Sequence, residues 1–291
     1  MNPARRGYRN RMHSAFVDLA WFREHRADPA LRIVDTRGKP HGVPGPVAPS
    51  GAEQYAGGHI EGAVHLDYAE QLADPATPYA MRVAPPDHFA AVLGAVGIGD
   101  DSTVLAYDDG DVPYAARLVW MLRYYGHDAA RILAGGFKAW VASGGDRTTR
   151  VPLYSPQIFT PHMRSELRAS KDDVLAVAEG RSDAQLLETQ RDRTYALREH
   201  DIAGAVRLSG NDLLDDADGG RVVPRERLDA LVDARGLDRA KRAIVTCGSG
   251  VSASGAYFAL EEAGFSDLAV YDGSWMEWAH DALPTVPKTR E

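Results

Sequence analysis

Short apolar runs separated by longer amphipathic stretches recur along the whole chain, and they come in two similar sets. In the first half, Arg32–Asp35, Ala63–Leu66, Thr103–Tyr107 and Ala130–Leu133 read as buried strands. Helical spacing predicts helices over Ala15–His25, Pro86–Val96, Tyr114–Tyr125 and Phe137–Ser143. The second half offers strands at Gln185–Glu188, Ala205–Leu208, Ala243–Thr246 and Leu268–Tyr271, and a helix over Ala253–Gly264. Strands alternating with helices imply an α/β fold. Each half should be a mainly parallel sheet flanked by helices on both faces, with ligands at the carboxyl ends of the strands.

The halves also match residue by residue. Ile33-Val34-Asp35-Thr36-Arg37 answers to Leu186-Leu187-Glu188-Thr189-Gln190, and His59-Ile60-Glu61-Gly62-Ala63-Val64 to Asp201-Ile202-Ala203-Gly204-Ala205-Val206. Leu133-Ala134-Gly135-Gly136-Phe137 answers to Tyr271-Asp272-Gly273-Ser274-Trp275. Matched segments in the same order mean a duplicated domain. The division expected is a disordered tail over 1–12, a first domain over 13–145, a linker over 146–162 and a second domain over 163–291. The linker from Asp146 to Pro161 contains Pro152, Pro156 and Pro161 with little periodicity, and should run along the surface.

Composition adds limits rather than identity. The 291 residues exceed one ordinary core, and 44% hydrophobic with 25% charged residues is the balance of a soluble globular protein. A net charge of −8 argues against nucleic acid or an anionic membrane as partner. No apolar stretch approaches the roughly 20 residues that span a bilayer. The Arg-rich start lacks a following apolar segment and reads as a tail rather than a signal peptide. A single cysteine excludes an internal disulfide and a thiolate metal cluster, so a reducing cytoplasm is expected.

That cysteine, Cys247, carries the candidate chemistry. It ends the strand Ala243–Thr246 and opens Cys247-Gly248-Ser249-Gly250-Val251-Ser252, after which a helix begins. A strand, tight loop and helix aim several backbone N–H groups at the loop's first side chain. A thiolate there should have a lowered pKa and a raised nucleophilicity. The first copy has Tyr107-Asp108-Asp109-Gly110-Asp111 in the same place, so its loop should be catalytically silent. A GxGxxA-type dinucleotide reading of Gly248–Ala253, with Asp272 on the ribose, competes on pattern but comes too late in the chain. A cysteine phosphatase needs an Arg six residues after its thiol, and position 253 is Ala. The 10 His residues show no HxH or HExxH spacing, which sets metal hydrolysis aside.

The loop Cys247-Gly248-Ser249-Gly250-Val251-Ser252-Ala253, the Tyr271-Asp272-Gly273-Ser274-Trp275 run and the paired Gly-Ala turns resemble the tandem-domain rhodanese family. Within it the mercaptopyruvate-using sulfurtransferases are the more similar branch, and the resemblance covers about Ser14 to Pro284. It implies two rhodanese-like domains, the second catalytic, with no metal or organic cofactor. It implies that Cys247 takes sulfur from a small anionic donor as a persulfide, cradled by the loop from Gly248 through Gly250, Val251 and Ser252 to Ala253. The sulfur then passes to a thiol acceptor such as thioredoxin or a small thiol, or to cyanide. Gly248 and Ser249 stand where thiosulfate-preferring members carry basic residues, which favours 3-mercaptopyruvate as donor. By the same analogy Ser249 and His59 help activate the thiol or donor, His59 reaching the site across the domain interface. One position departs from the pattern: the family's substrate-binding Arg is replaced by Gln190, with Arg191, Arg193 and Arg198 nearby as possible substitutes. A rhodanese-like module that carries or binds sulfur without turnover, and a thiosulfate-using enzyme, are the alternatives.

Overall fold

The computed structural model describes residues 14–39, 49–78, 81–110 and 113–288, so the expected tail lies outside the described residues. The first domain runs β1 (Phe16–Val17), α1 (Leu19–His25), β2 (Leu31–Asp35), α2 (Gly51–Gly57), β3 (His59–Ile60), β4 (Ala63–His65), α3 (Pro86–Ala95), β5 (Thr103–Tyr107), α4 (Tyr114–Tyr124), β6 (Ala130–Leu133) and α5 (Gly136–Ala142). A short β7 (Arg147–Thr148) follows. The second domain begins β8 (Arg168–Ala169), α6 (Lys171–Ala178), β9 (Gln185–Glu188), α7 (Asp192–Tyr195), β10 (His200–Ile202), β11 (Ala205–Arg207) and α8 (Gly210–Leu213). It continues β12 (Leu214–Asp215), β13 (Arg221–Val222), α9 (Arg225–Ala234), β14 (Ala243–Thr246), α10 (Val251–Glu262), β15 (Leu268–Tyr271), α11 (Ser274–His280) and β16 (Thr285–Pro287).

The duplication is visible in the strand order. Among the described residues the first sheet is ordered β1-β6-β5-β2-β4 and the second β8-β15-β14-β9-β11, every neighbouring pair parallel. The central strands β5 and β14 are apolar along most of their length because helices cover both faces. One segment differs from expectation: Phe16 and Val17, expected at the start of a helix, form β1 against β6. Asp18 explains the late start, since its side chain accepts from the Trp21 amide and caps α1.

Strand parity decides what faces the other domain. Val104 and Ala106 of β5, and Ala243 and Val245 of β14, enter one apolar cluster that continues from domain to domain. Their neighbours Leu105 and Tyr107, and Ile244, join two separate clusters on the outer faces. Cys247 shares the parity of Val245, so its side chain belongs to the shared inner cluster. Helices α4 and α10 pack together at that interface, and every residue of α4 is buried.

The linker lies along the first domain. Its β7 pairs with β3, Gln157 N–H donates to Gly94 O, Tyr154 Oη donates to Gly62 O and His162 N–H donates to Tyr125 O. No helix among the described residues is long and apolar enough to cross a membrane.

Candidate active site

Strand β14 ends at Thr246, and the chain turns through Cys247, Gly248, Ser249 and Gly250 into α10. Gly250 closes the turn at φ +80°, a conformation that favours glycine, and a Cβ there would sit tightly, 3.1 Å from Arg117 Nη1. The turn points amides at sulfur: Gly250 N–H donates to Cys247 Sγ at 3.1 Å, and the Ser249 and Ala253 amides also favour the thiolate. Ser249 therefore enters through its backbone. Val251 is buried in the shared cluster and Ser252 is half-buried on the first turn of α10.

The expectation of a lowered thiol pKa is corrected. Cys247 is only 2% exposed, and burial pushes the thiol up. Glu188 raises it further, and the amides of Ala253, Ser249 and Gly250 offset part of the rise without reversing it. The loop supports a thiolate, while the site's depth and a carboxylate behind it favour the thiol.

Glu188 ends β9 beside the loop and is itself buried. Its Oε1 accepts from the Gln190 amide at 2.8 Å and its Oε2 from Arg198 Nη1 at 2.7 Å. Arg198 Nη1 also donates to Gln190 Oε1 at 2.8 Å, and Nη2 pairs with Asp201 at 2.9 Å. The guanidinium lies 4.1 Å from the centre of the Trp275 ring. Gln190 Nε2 faces Gly248, where a Cβ would come within 3.2 Å of it. The first copy builds the same group from nearer residues, with Arg37 on Asp35 and 4.0 Å from the Phe137 ring centre. Arg198 thus restores, from farther along the chain, the guanidinium absent at position 190.

Two candidates do not join the site. Arg191 pairs with Asp216 and donates to Gly110 O at 3.4 Å, so it belongs to the domain contact rather than to the thiol. His59 is fully buried, with Nδ1 against Tyr55 O at 2.8 Å, Nε2 against Arg150 O at 3.1 Å and its ring stacked on Tyr55. Pairing of β3 with the linker strand β7 draws it there, away from Cys247. Arg193 is exposed on α7.

Asp272, the residue a dinucleotide reading would place on a ribose, closes the domain interface. It pairs with the fully buried Arg117 and with Arg168 at 3.0 Å, and accepts from Val83 N–H at 3.1 Å. Burial alone would raise its pKa, but the Arg117 and Arg168 guanidinium groups outweigh burial and hold it below the usual range. Arg117 and Ser274, which touch the loop, are the neighbours that motif reading missed. The Ser274–Gly136 mismatch between the copies was the available signal.

A duplicated five-stranded parallel sheet with a thiol at the carboxyl end of its central strand narrows the possibilities. The profile of the rhodanese-like domain matches residues 18–143 and 170–281. The chain belongs to the rhodanese family. A 3-mercaptopyruvate sulfurtransferase of Escherichia coli (strain K12) is 30% identical over 282 residues, 94% of this chain and 98% of the relative. A thiosulfate sulfurtransferase of Bos taurus is 31% identical over 288 residues, 94% of each chain. The crystal structure of SseA from Escherichia coli superposes with a TM-score of 0.81 at 29% identity, covering 90% of this chain and 99% of that one. Both rhodanese domains are therefore present, and the second carries the thiol.

Proposed function

We propose that this rhodanese-family sulfurtransferase takes sulfur from 3-mercaptopyruvate through a Cys247 persulfide. The observation that carries the reading is a single thiol under the amides of Ser249, Gly250 and Ala253 at the end of a central parallel strand. In the first half-reaction the Cys247 thiolate attacks the donor's sulfur. An S–S bond forms, the donor's C–S bond breaks, and its electron pair leaves on the pyruvate enolate, which takes up a proton. In the second, an acceptor thiolate or cyanide attacks the outer sulfur and the Cys247 thiolate is released. The loop amides stabilise negative charge on sulfur at both stages.

Small neutral residues at Gly248 and Ser249, together with the Escherichia coli relative, support 3-mercaptopyruvate as donor. Gln190 Nε2 and the Arg198 guanidinium are the polar groups offered to its carboxylate. Thiosulfate is the second reading, favoured by the Bos taurus relative at comparable identity. A sulfur-carrying module would accept one sulfur without continued release of pyruvate. The test compares pyruvate release from 3-mercaptopyruvate with sulfite release from thiosulfate, for the wild type and Cys247→Ser. Multiple turnovers with preferential pyruvate release, abolished in Cys247→Ser, are expected. Full activity in the variant would end the mechanism, and equal or better use of thiosulfate would reassign the donor.

A further inference from the structure

We propose that Ser274 is a positioning residue for the Cys247 thiol, its hydroxyl holding the cysteine's backbone from the first turn of α11. Ser274 is fully buried and its backbone sits at φ +50°, a region most side chains avoid. Its Oγ donates to Tyr271 O at 2.8 Å and accepts from Cys247 N–H at 3.2 Å. The next two residues continue the attachment: Trp275 N–H donates to Cys247 O and Met276 N–H to Gly248 O, both at 3.0 Å. Three consecutive residues of α11 therefore hold the peptide groups on either side of the sulfur.

The first copy supplies the control. Gly136 takes the place of Ser274 with φ +54°, and Phe137 N–H donates to Asp108 O at 2.9 Å, as Trp275 does to Cys247 O. The backbone path needs only glycine there. The copy with the thiol has instead a strained serine, and what the serine adds is the bond to the cysteine amide. A non-glycine residue at positive φ persists where its surroundings enforce it, and such strain clusters at functional sites. Without the hydroxyl, the buried Cys247 amide must go unpaired or turn. An unpaired amide loosens the anchor of the loop, and a turned one moves Sγ from under the amides of Ser249, Gly250 and Ala253.

The inference rests on Cys247 as nucleophile, yet it can be tested without any donor. Cys247 is the only cysteine in the sequence, so alkylation by iodoacetamide reads that thiol alone. Ser274→Gly relieves the backbone and removes the hydroxyl, while Ser274→Ala removes the hydroxyl and keeps the strain. The expected result is that both variants shift the alkylation midpoint upward by about half a pH unit or more. Sulfur-transfer kcat should fall about tenfold with KM little changed, and Ser274→Gly should melt no lower than Ser274→Ala. Should the alanine variant fail to fold, the glycine variant carries the test, because its backbone suits the position. A Ser274→Gly protein with wild-type alkylation profile and kcat would overturn the proposal. Failure of the sulfur-transfer reading shows instead as activity retained in Cys247→Ser, so the two failures are distinguishable.

Discussion

Asp108 and Cys247 occupy equivalent places in the two domains and meet the same kind of cradle. The Asp108 carboxylate accepts from Gly110 N–H at 2.7 Å and Ala115 N–H at 2.9 Å, as the Cys247 sulfur accepts from Gly250 N–H at 3.1 Å. In the first copy the anion is built into the chain. The Gly219–Gly220 turn of the second domain then packs directly on Gly110, and this loop becomes part of the domain contact.

That carboxylate makes stability depend on pH. Burial pushes the Asp108 carboxyl up to about 6 from an ordinary 3.8. Between these values the folded chain holds a proton that the unfolded chain has lost, so this group's contribution to stability falls as pH rises from about 4 to 6. Asp108→Asn is expected to remove about 2 kcal/mol of that pH dependence between about pH 4.5 and 7.5. Chemical denaturation at pH 4.5 and 7.5 measures it, and an unchanged difference between the two would contradict it.

Alkylation of Cys247 should speed up as pH rises beyond neutrality, because burial and Glu188 hold the thiol above its usual range and only the thiolate reacts. Glu188→Gln removes one cause of the rise. The alkylation midpoint of this variant should move down, and a profile that stays in place would show that burial alone sets it.

Arg198 and Gln190 can be tested by exchange. Arg198→Gln leaves Glu188 without its cation and should raise KM for 3-mercaptopyruvate by roughly tenfold or more. The double variant Gln190→Arg with Arg198→Gln rebuilds the spacing of Asp35 and Arg37, and KM should return towards the wild-type value. Steady-state kinetics of the three proteins give the answer, and a double variant as poor as the single one would refute compensation.

The shared core and the Arg117–Asp272 pair predict that the two domains unfold together. Calorimetry should record one transition. Arg117→Ala leaves a buried carboxylate short of a cation and should lower stability by about 3 kcal/mol or more. Two separate transitions in the wild type would contradict a shared core.

Much of the fold was legible because burial on both faces gives a central parallel strand a continuous apolar run, as in Thr103–Tyr107 and Ala243–Thr246. The two-residue edge strands β1 and β8 are too short to carry a period, and Phe16–Val17 was absorbed into the helix that Asp18 in fact starts later. At the site, the repeat picked out Cys247 against Asp108, and the family resemblance exposed the loss of a guanidinium at position 190.

The sequence by itself determined the duplication, the alternation of strands and helices, and the one thiol at a strand-to-helix loop, since these depend on local pattern. Only the tertiary structure decided the surroundings of that thiol. It moved His59 onto the linker through the pairing of β3 with β7, and turned Arg191 to the interface. It brought Arg198 onto Glu188, and placed the Ser274 hydroxyl on the Cys247 amide. Those contacts join residues of different elements, and burial set the direction of the thiol's pKa against the pull of its loop. Local pattern chooses an element and its loop, but desolvation and long-range pairing exist only once the domains have packed.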